Sequence, residues 1–548
     1  MTAWRGYHLR FMRCQSIAYE RLPHPSKLFL HYMENFSRVG GFYAHAPKFA
    51  AVKRVAGKRA FPEERRRAVA AILREQNRAL GSGAATERNL ERLEKGAVAI
   101  VTGQQVGLFS GPAYAIYKAL TAVAVAEELT RSGVDAVPVF WMATEDHDFE
   151  EVRQAQWWRN GAVETFSLPA APKEGVPAGS VALGGEIAEM ARRAADALEG
   201  ADAERMGGIL KSSYAPGETC GSAFGKLYAR LFEAEGLILL DPLDGRLHKI
   251  AAPVFRQAIA ESGSLREKLL ERGKKLEQAG YAAQVKVTGR STLLFRLEGG
   301  VRRAVTESGE GFQAGEKSWT REEFLRVAET GAEGLSANAL LRPVMQDYLL
   351  PTAAYVAGPG EIAYYAQAEV VYRRILGWMP VVLPRADFTV VDGKAEKLLK
   401  KYGLKVEEIW EGREKIRRKM ELQKIPAALS ARMEQGARAA KQALARLRGP
   451  LGKLDATLLG ALERAEKSSA YHYEKLRSKA GRARALREGV IAGHEEYLCA
   501  LLYPRKGIQS RELCMLPLLA LWGPEALGEL KRFAGSKGLG AHQAIYRG

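Results

Sequence analysis

Between residues 90 and 390, short continuous apolar runs alternate with segments in which apolar residues recur every three or four positions. Short apolar runs such as AVAIVTG (97–103) and VDAVPVFWM (134–142) have the length of buried strands. Between them, residues 112–131 repeat apolar side chains every three or four positions, as in an amphipathic helix. Strands that alternate with such helices are typical of a parallel sheet, so the pattern predicts an α/β core.

The same alternation continues along this part of the chain. The further predicted elements are, in order, a helix over 223–235, the strand GLILLDP (236–242), an antiparallel meander over 283–306, the strand and glycine turn TAAYVAGPG (352–360), a helix over 361–376 and the strand MPVVLPR (379–385).

A heptad repeat replaces this pattern after residue 390. Apolar residues from Leu429 to Leu447 recur four and three positions apart, and the repeat resumes after Gly449-Pro450, where we expect a turn or kink. The repeat predicts three long helices, over 393–424, 427–448 and 451–488. Because such a seam packs helices together, we expect a coiled-coil arm that forms a homodimer.

These changes of pattern divide the chain into three parts. We expect an α/β core with insertions over 1–390, an α-helical coiled-coil arm over 391–488 and a small helical C-terminal segment over 489–548. The apolar content of the last part favours packing back on the core.

The net charge of +19, from 82 Lys and Arg against 63 Asp and Glu, favours phosphorylated or carboxylated ligands. Much of the excess lies on the predicted surface of the arm. The basic segments lack the interleaved aromatic residues that stack on bases, so nucleic acid is not expected as a partner. No apolar run approaches the roughly 20 residues that span a bilayer, and no membrane association is predicted.

The cysteines and the N-terminus bear on localisation. The four cysteines contain no CxxC pair, which suits reduced thiols better than a disulfide framework or a zinc site. The first residues are partly basic but lack the apolar region of a signal peptide. We therefore expect a cytoplasmic protein.

A glycine-rich loop joins the strand 97–103 to the following helix. A loop of this kind offers backbone N–H groups and the positive end of the helix dipole to an anion. It is neither a Walker loop nor a GxGxxG motif, and a tight turn that needs small residues is the alternative. The candidate residues for binding a phosphate or carboxylate are Gly103, Gln104, Gln105, Gly107, Ser110, Gly111, Tyr114 and Lys118.

Three carboxylates and an imidazole, Glu145, Asp146, His147 and Asp148, follow the strand 134–142. Ligands of open α/β sheets lie beyond the carboxyl ends of the strands, so this cluster should face the same crevice as the glycine-rich loop. A carboxylate there can hold an amine, ligate Mg²⁺ or act as a base, and an imidazole can exchange a proton near neutral pH. Because neighbouring side chains alternate in direction, one or two of the four are expected to cap the next helix instead.

A third stretch, residues 336–367, places polar side chains in apolar surroundings, where unpaired polar groups are costly. Its segment GPGE (358–361) repeats the arrangement of a strand, a glycine turn and a helix. Two interpretations stay open, a ligand site and a structural salt bridge from Arg342 to Asp347 or Glu361. The candidate residues are Arg342, Gln346, Asp347, Gly358, Gly360, Glu361, Tyr364 and Gln367.

Three long segments together resemble one protein family. VTGQQVGLFSGPAYAIYKA, VPVFWMATEDHDFEEV and LLRPVMQDYLLPTAAYVAGPGEIAYYAQ look like the corresponding parts of the bacillithiol biosynthesis cysteine-adding enzymes, which are cysteine ligases. Shorter segments such as GLILLDP and LYPRKGIQSREL extend the resemblance over nearly the whole chain.

The resemblance implies a Rossmann-like core, an inserted coiled coil and a homodimer. It also implies that the protein joins cysteine to glucosaminyl malate in the last step of bacillithiol synthesis. Because an amide bond needs an activated carboxylate, ATP or another nucleotide is the expected cosubstrate, and Mg²⁺ is a candidate companion ion. Asp146, His147 and Asp148 are the candidate catalytic residues.

Two other functions are compatible with the residues alone. The segment 145–148 would also suit a nucleotidyltransferase-like enzyme or a metal-dependent hydrolase. A dimeric scaffold that binds a nucleotide without catalysis is the second alternative.

Overall fold

The computed structural model describes residues 12–57, 60–170 and 173–547. It forms two compact units. The first contains the chain up to Arg159, Val163–Val390 and Gln509–Ile545, and the second contains Asn160–Ala162, Val391–Ile508 and the residues from Tyr546 onward. Gln509–Ile545 thus return to the first unit, and Val391–Ile508 form most of the second.

The strands, in chain order, are β1 (Arg13–Ile17), β2 (Val98–Gln104), β3 (Ala136–Met142), β4 (Gln154–Arg159), β5 (Ala162–Ser167), β6 (Ile238–Leu240), β7 (Ser291–Glu298), β8 (Val301–Ser308), β9 (Gly311–Ala314), β10 (Lys317–Thr320), β11 (Leu335–Ala337), β12 (Thr352–Ala357), β13 (Val381–Pro384), β14 (Phe388–Val391) and β15 (His542–Tyr546).

The α-helices, in the same order, are α1 (Lys27–Glu34), α2 (Phe49–Gly57), α3 (Glu63–Ala79), α4 (Ala84–Lys95), α5 (Ala113–Arg131), α6 (Phe149–Val152), α7 (Glu186–Asp196), α8 (Ala203–Ser213), α9 (Cys220–Leu231), α10 (Gly245–Ala260), α11 (Ser262–Gln278), α12 (Arg321–Thr330), α13 (Arg342–Leu349), α14 (Pro359–Ile375), α15 (Gly393–Lys401), α16 (Val406–Ile409), α17 (Arg413–Leu422), α18 (Ala427–Arg446), α19 (Arg448–Leu454), α20 (Leu458–Glu488), α21 (Ile491–Leu502), α22 (Gln509–Glu512), α23 (Leu516–Trp522) and α24 (Ala526–Lys531).

A five-stranded parallel sheet forms the centre of the first unit, with the order β13-β12-β2-β3-β6. Its β2, β3 and β12 are buried almost throughout, which explains why they read as continuous apolar runs. The chain proceeds from β2 outward to β6 and later returns to β12 on the other side of β2. The strand order therefore reverses between β2 and β12, which is the place where sheets of this type bind ligands.

A second sheet of five strands, with the order β10-β9-β8-β7-β11, is antiparallel. Its β7 and β8 are joined by Gly299-Gly300, whose positive φ angles of 57° and 73° match a two-residue hairpin turn of type I′. The predicted meander over 283–306 is therefore correct in type. Its first strand, however, begins only at Ser291.

The second unit is helical, and α18 runs antiparallel to α20. Arg477 of α20 lies 3.8 Å from Glu434 of α18, and Gly436, further along α18, faces Tyr473, which is earlier on α20. Three leucines of this unit, Leu429, Leu447 and Leu454, are 41%, 47% and 77% exposed. The heptad seam is thus only partly covered within one chain.

The predicted first helix of the arm, over 393–424, is wrong as a single element. It is divided into α15, α16 and α17, and Gly403 and Gly412 between them have φ angles of 56° and 102°. Positive φ angles suit glycine. Gly403 follows the end of α15, and Gly412 directly precedes α17.

The break after α18 lies at Leu447, and Gly449-Pro450 belong to the first turn of α19. The predicted third helix, over 451–488, is wrong as a single element, because α19 ends at Leu454 and α20 begins at Leu458.

Within the part of the chain that the structure describes, none of the helices combines the length and the apolar character needed to cross a bilayer.

Candidate functional site

A cavity of about 920 Å³ lies at the carboxyl ends of β2, β3 and β12. The hairpin of β7 and β8 and the segment 284–286 form another part of its wall. Its volume lies within the roughly 300–1,000 Å³ of ligand pockets. The crevice expected from the strand ends is therefore present, with a wall that the strand pattern did not predict.

Lys118 of α5 occupies the switch point between β2 and β12. Its ammonium group donates hydrogen bonds of 2.8 Å to the Gly103 carbonyl and to Gln104 Oε1, and it forms an ion pair with Glu361. Burial lowers the pKa of Lys118, an effect that Glu361 opposes and that the charges of Arg385 and Arg342 reinforce. All three N–H bonds of the ammonium group thus have acceptors.

Glu361 joins this lysine to the start of α14. Its carboxylate accepts hydrogen bonds of 2.6 Å from the Gly358 N–H and from the Tyr355 hydroxyl. Gly360, in the first turn of α14, lines the cavity and has open space where a Cβ would stand. The second glycine segment therefore presents a helix start to the cavity.

Arg342 is linked to two carboxylates through neutral side chains. It donates to the Tyr355 hydroxyl at 3.4 Å, which bonds Glu361, and to Gln346 Oε1 at 3.0 Å, whose Nε2 bonds Asp347 at 2.8 Å. It also bonds the Tyr364 hydroxyl at 3.0 Å. Arg342, Tyr364 and Glu361 line the cavity, whereas Gln346 and Asp347 are fully buried behind it.

Two carboxylates, Asp146 and Glu151, lie around the Gln105 side chain. Gln105 Nε2 donates to Asp146 Oδ2 at 3.3 Å and to Glu151 Oε2 at 3.0 Å. Burial raises the pKa of Glu151, and the charges of Asp146 and Asp148 raise it further, against an opposing effect of Lys118. Because Asp146 and Glu151 both line the cavity, they can bind a cationic group there.

His147 is held by Arg302 of β8. Arg302 Nη1 lies 3.2 Å from His147 Nδ1, and its Nη2 donates to the Ala337 carbonyl at 2.7 Å. Since a guanidinium group can only donate, Nδ1 of this imidazole accepts and its N–H is on Nε2. In this arrangement the Nδ1 lone pair is not available to take a proton.

The other two residues of the cluster point to different partners. Asp148 is exposed, and its carboxylate caps α6 by accepting the Glu151 N–H at 3.3 Å. Glu145 is buried at the edge of the cavity, where its Oε1 lies 3.2 Å from His248 Nε2. The expectation that part of this cluster caps a helix is confirmed for Asp148.

The second half of the glycine-rich loop is buried. The N–H groups of Gly107, Gly111 and Ala113 donate to the carbonyls of Gln105, Leu108 and Leu513, at 3.0, 2.9 and 2.8 Å. The expected free N–H groups are therefore absent at these three positions. Among the candidates of this loop, Gly103, Gln104, Gln105, Tyr114 and Lys118 line the cavity, whereas Gly107, Ser110 and Gly111 are not part of its lining.

Gln367 is a structural residue in this arrangement. Its side-chain amide accepts from the Val285 N–H at 2.8 Å and donates to the Val285 carbonyl at 2.9 Å. Val285 itself lines the cavity. Gln367 therefore acts on the cavity by holding the segment 284–286 in place.

Arg385 lines the cavity but is not among the site residues predicted from the sequence. It donates to Asp387 Oδ1 at 2.6 Å, and Asp387 in turn lies 3.1 Å from His542 Nδ1. Burial opposes ionisation of Asp387, but Arg385 and His542 outweigh it and lower its pKa. The predicted strand MPVVLPR ends in this arginine. A charged residue at the carboxyl end of a parallel strand is the feature of the sequence that could have indicated its place in the cavity.

Among residues 12–57, 60–170 and 173–547, no group of three or more His, Cys, Asp or Glu side chains is arranged to hold a metal ion.

Two family models match the chain. The N-terminal Rossmann-like domain of the bacillithiol biosynthesis protein BshC matches residues 12–386. The C-terminal coiled-coil domain of the same protein matches residues 388–545.

Similar curated proteins carry the name "Putative cysteine ligase BshC". The protein of Koribacter versatilis is 39% identical over 516 residues, which cover 94% of this chain and 96% of that protein. The proteins of Solibacter usitatus and Salinibacter ruber are 35% and 32% identical, and their alignments cover 93% and 94% of this chain and 96% of each relative.

Proposed function

Because the chain belongs to the BshC family of bacillithiol biosynthesis proteins, we propose that it joins the carboxylate of cysteine to the amine of glucosaminyl malate. A carboxylate and an amine do not condense unaided, so the proposal includes ATP as the activating cosubstrate. The observation that carries it is a cavity whose lining combines the carboxylates of Glu145, Asp146 and Glu151, all in the segment after β3, with cationic side chains from other elements. Cysteine and glucosaminyl malate each carry an amine and at least one carboxylate.

The carboxylates Asp146 and Glu151 are assigned to the ammonium group of cysteine. Both line the cavity and share one donor, Gln105 Nε2, which leaves further oxygen lone pairs for a cation. Glu145, buried beside His248, is assigned to accept the proton that the sugar amine loses on attack. His147 is not given this role, because Arg302 already engages its Nδ1.

The start of α14 is assigned to an anionic group, either a phosphate of the nucleotide or a carboxylate of the malate part. The N-terminus of a helix attracts anions, and the space beside Gly360 is open. Arg342 and Arg385 add positive charge to the same cavity. Lys118, a predicted anion-binding residue, is not assigned to this group, since its three donors are already used.

The nucleotide, when bound, would supply the activation of the cysteine carboxylate. A Mg²⁺ ion would enter with it, because this ion is usually held by substrate phosphates and one or two carboxylates.

The reaction itself is tested with cysteine, glucosaminyl malate, ATP and Mg²⁺, and the product is sought by mass spectrometry as the amide that carries a free thiol. We expect this product only when all three substrates are present. An amide that forms equally well without ATP would contradict nucleotide activation, and failure to form it under any condition would contradict the ligase assignment.

Two further proposals concern the whole protein. A homodimer through the arm is supported by the exposed leucines of the second unit. A cytoplasmic location is supported by four cysteines that are all free thiols.

A further inference from the structure

The side chains of Gln104 and Gln105 form a continuous series of hydrogen bonds. Gln104 Oε1 accepts from Lys118 at 2.8 Å, and its Nε2 donates to Gln105 Oε1 and, at 3.1 Å, to the Tyr114 hydroxyl. Gln105 Nε2 then donates to Asp146 and Glu151. The series leads from the ion pair at the switch point to the carboxylates beyond the next strand.

The two ends of this series determine its direction. An ammonium group can only donate hydrogen bonds, and ionised carboxylates can only accept them. A flip of the Gln104 amide would place its NH₂ group against the Lys118 ammonium. A flip of the Gln105 amide would place its oxygen against two carboxylates. Both amides therefore have one favourable orientation, which the charges at the ends select.

We propose that Gln104 and Gln105 are positioning residues that keep Asp146 and Glu151 together and ionised for the ammonium group of the amino-acid substrate. Two adjacent carboxylates repel each other, and each prefers to be neutral unless donors or cations compensate. Gln105 Nε2 has two hydrogens and gives one to each carboxylate. The identity of the ammonium ligand rests on the proposed function, whereas the effect on the two carboxylates does not.

The charged and titratable groups around Glu151 come from several elements. Asp146 and Asp148 belong to the loop after β3, Lys118 and Tyr114 come from α5, and Arg302 of β8 acts on Asp146. Loss of the two Gln105 donors would leave the carboxylates facing each other with less compensation. The free energy of a hydrogen bond to a charged group corresponds to about one pKa unit or more. Without the Gln105 donors, the pKa of Glu151 should therefore rise by about one further unit.

The effect on stability has a definite sign. A carboxyl group whose pKa is raised in the folded state binds its proton more tightly there than in the unfolded chain. Its contribution therefore favours folding at low pH and is lost as the pH rises. If the folded-state pKa of Glu151 rises further, the protein should continue to lose stability up to a higher pH.

The test compares full-length Gln105→Met with Gln284→Met, which removes an amide that also lines the cavity but stands outside the series. Thermal unfolding of the ligand-free proteins is followed from pH 4 to pH 8. We expect Gln105→Met to melt like the wild type at the acid end and to fall progressively below it as the pH rises. Gln284→Met should follow the wild type throughout.

Cysteine binding is measured by titration calorimetry over the same pH range. Gln105→Met should bind cysteine more weakly at the acid end of this range, by up to about tenfold, and like the wild type at the alkaline end, with the midpoint of the pH dependence moved up by about one unit. Unchanged pH profiles of both stability and binding would overturn the proposal. A shifted stability profile in a protein whose wild type does not bind cysteine would support the positioning role and contradict the assigned substrate.

Discussion

Asp146 and Asp148 are two residues apart in sequence but have different surroundings. Asp146 lines the cavity beside Gln105, whereas Asp148 is exposed and caps α6. We expect Asp146→Asn to melt near the wild type and to slow product formation by about 10- to 150-fold at low cysteine concentration, because a hydrogen bond to a charged group contributes about 1.5–3 kcal/mol. Asp148→Asn should keep both stability and activity, because asparagine also caps helices well. The two variants make the same chemical change, so equal losses of activity would contradict this division of roles.

His248 and Glu145 form a buried pair whose effect depends on pH. Burial alone would lower the pKa of His248, but the Glu145 carboxylate and the carbonyls of Glu333 and Pro242 outweigh it, and the net pKa is raised. A raised folded-state pKa contributes stability that is fully present below the unfolded value of about 6.5 and is lost as the pH rises through the folded value.

His248→Gln should therefore destabilise the protein most at pH 6 and less at pH 9. Each unit of upward shift corresponds to about 1.4 kcal/mol of unfolding free energy. Denaturant titrations of both proteins at several pH values measure this difference. A difference that is constant from pH 6 to pH 9 would show that His248 acts through packing alone.

The two glycine-containing helix starts differ in how much space they leave. A Cβ on Gly107 would stand 2.7 Å from Gly111 Cα, so Gly107→Ala should destabilise the fold whether or not an anion binds nearby. Gly360 has no atom within 4 Å of that position, and alanine is the better helix former by up to about 1 kcal/mol. Gly360→Ala should therefore keep or raise the melting temperature.

The same Gly360→Ala variant should weaken the binding of ATP or glucosaminyl malate, because its methyl group would enter the space beside the start of α14. Calorimetric titration of each ligand identifies which of them uses this site. If a stable Gly360→Ala protein binds both ligands as the wild type does, the helix start is not an anion site.

The α/β core and the strand-end loops could be predicted because their signals are local. Buried parallel strands such as β2 and β3 read as apolar runs, and a parallel sheet brings their carboxyl ends to one edge. The partner of His147 could not be predicted in this way, since Arg302 lies 155 residues further along the chain. The same holds for His248, which reaches Glu145 from α10. Such contacts depend on how separate elements pack, which periodicity does not record.

The matches to both family models confirm the resemblance and the fold class, a Rossmann-like domain with a C-terminal coiled coil. Within the arm, the heptad repeat could predict helices but not their breaks. Gly403 follows the end of α15 and Gly412 precedes α17, both with positive φ angles, which a glycine permits but does not require. The seam also could not distinguish contacts within one chain from contacts between two.

The homodimer is tested first in the full chain. Leu429 and Leu476, on α18 and α20, are 41% and 52% exposed, and an apolar contact with a second copy would bury them. Leu429→Glu with Leu476→Glu should therefore convert the protein to a monomer in sedimentation velocity, with little change in melting temperature. As a matched control, Arg438→Glu and Arg482→Glu alter exposed charges on the same two helices and should leave a dimer.

A deletion variant tests the homodimer independently of these substitutions. Gln509 accepts the Val390 N–H at 2.7 Å and donates to the Val390 carbonyl at 2.9 Å, so the two ends of the first unit lie side by side. Removal of 391–508 and closure with a short Gly-Ser linker should therefore leave a folded monomer. This choice also removes the buried Glu495 together with its partners Arg413 and Arg417, whereas deletion of 393–488 would leave that carboxylate without them. A deletion product that still sediments as a dimer would place the interface on the first unit and contradict the role given to the arm.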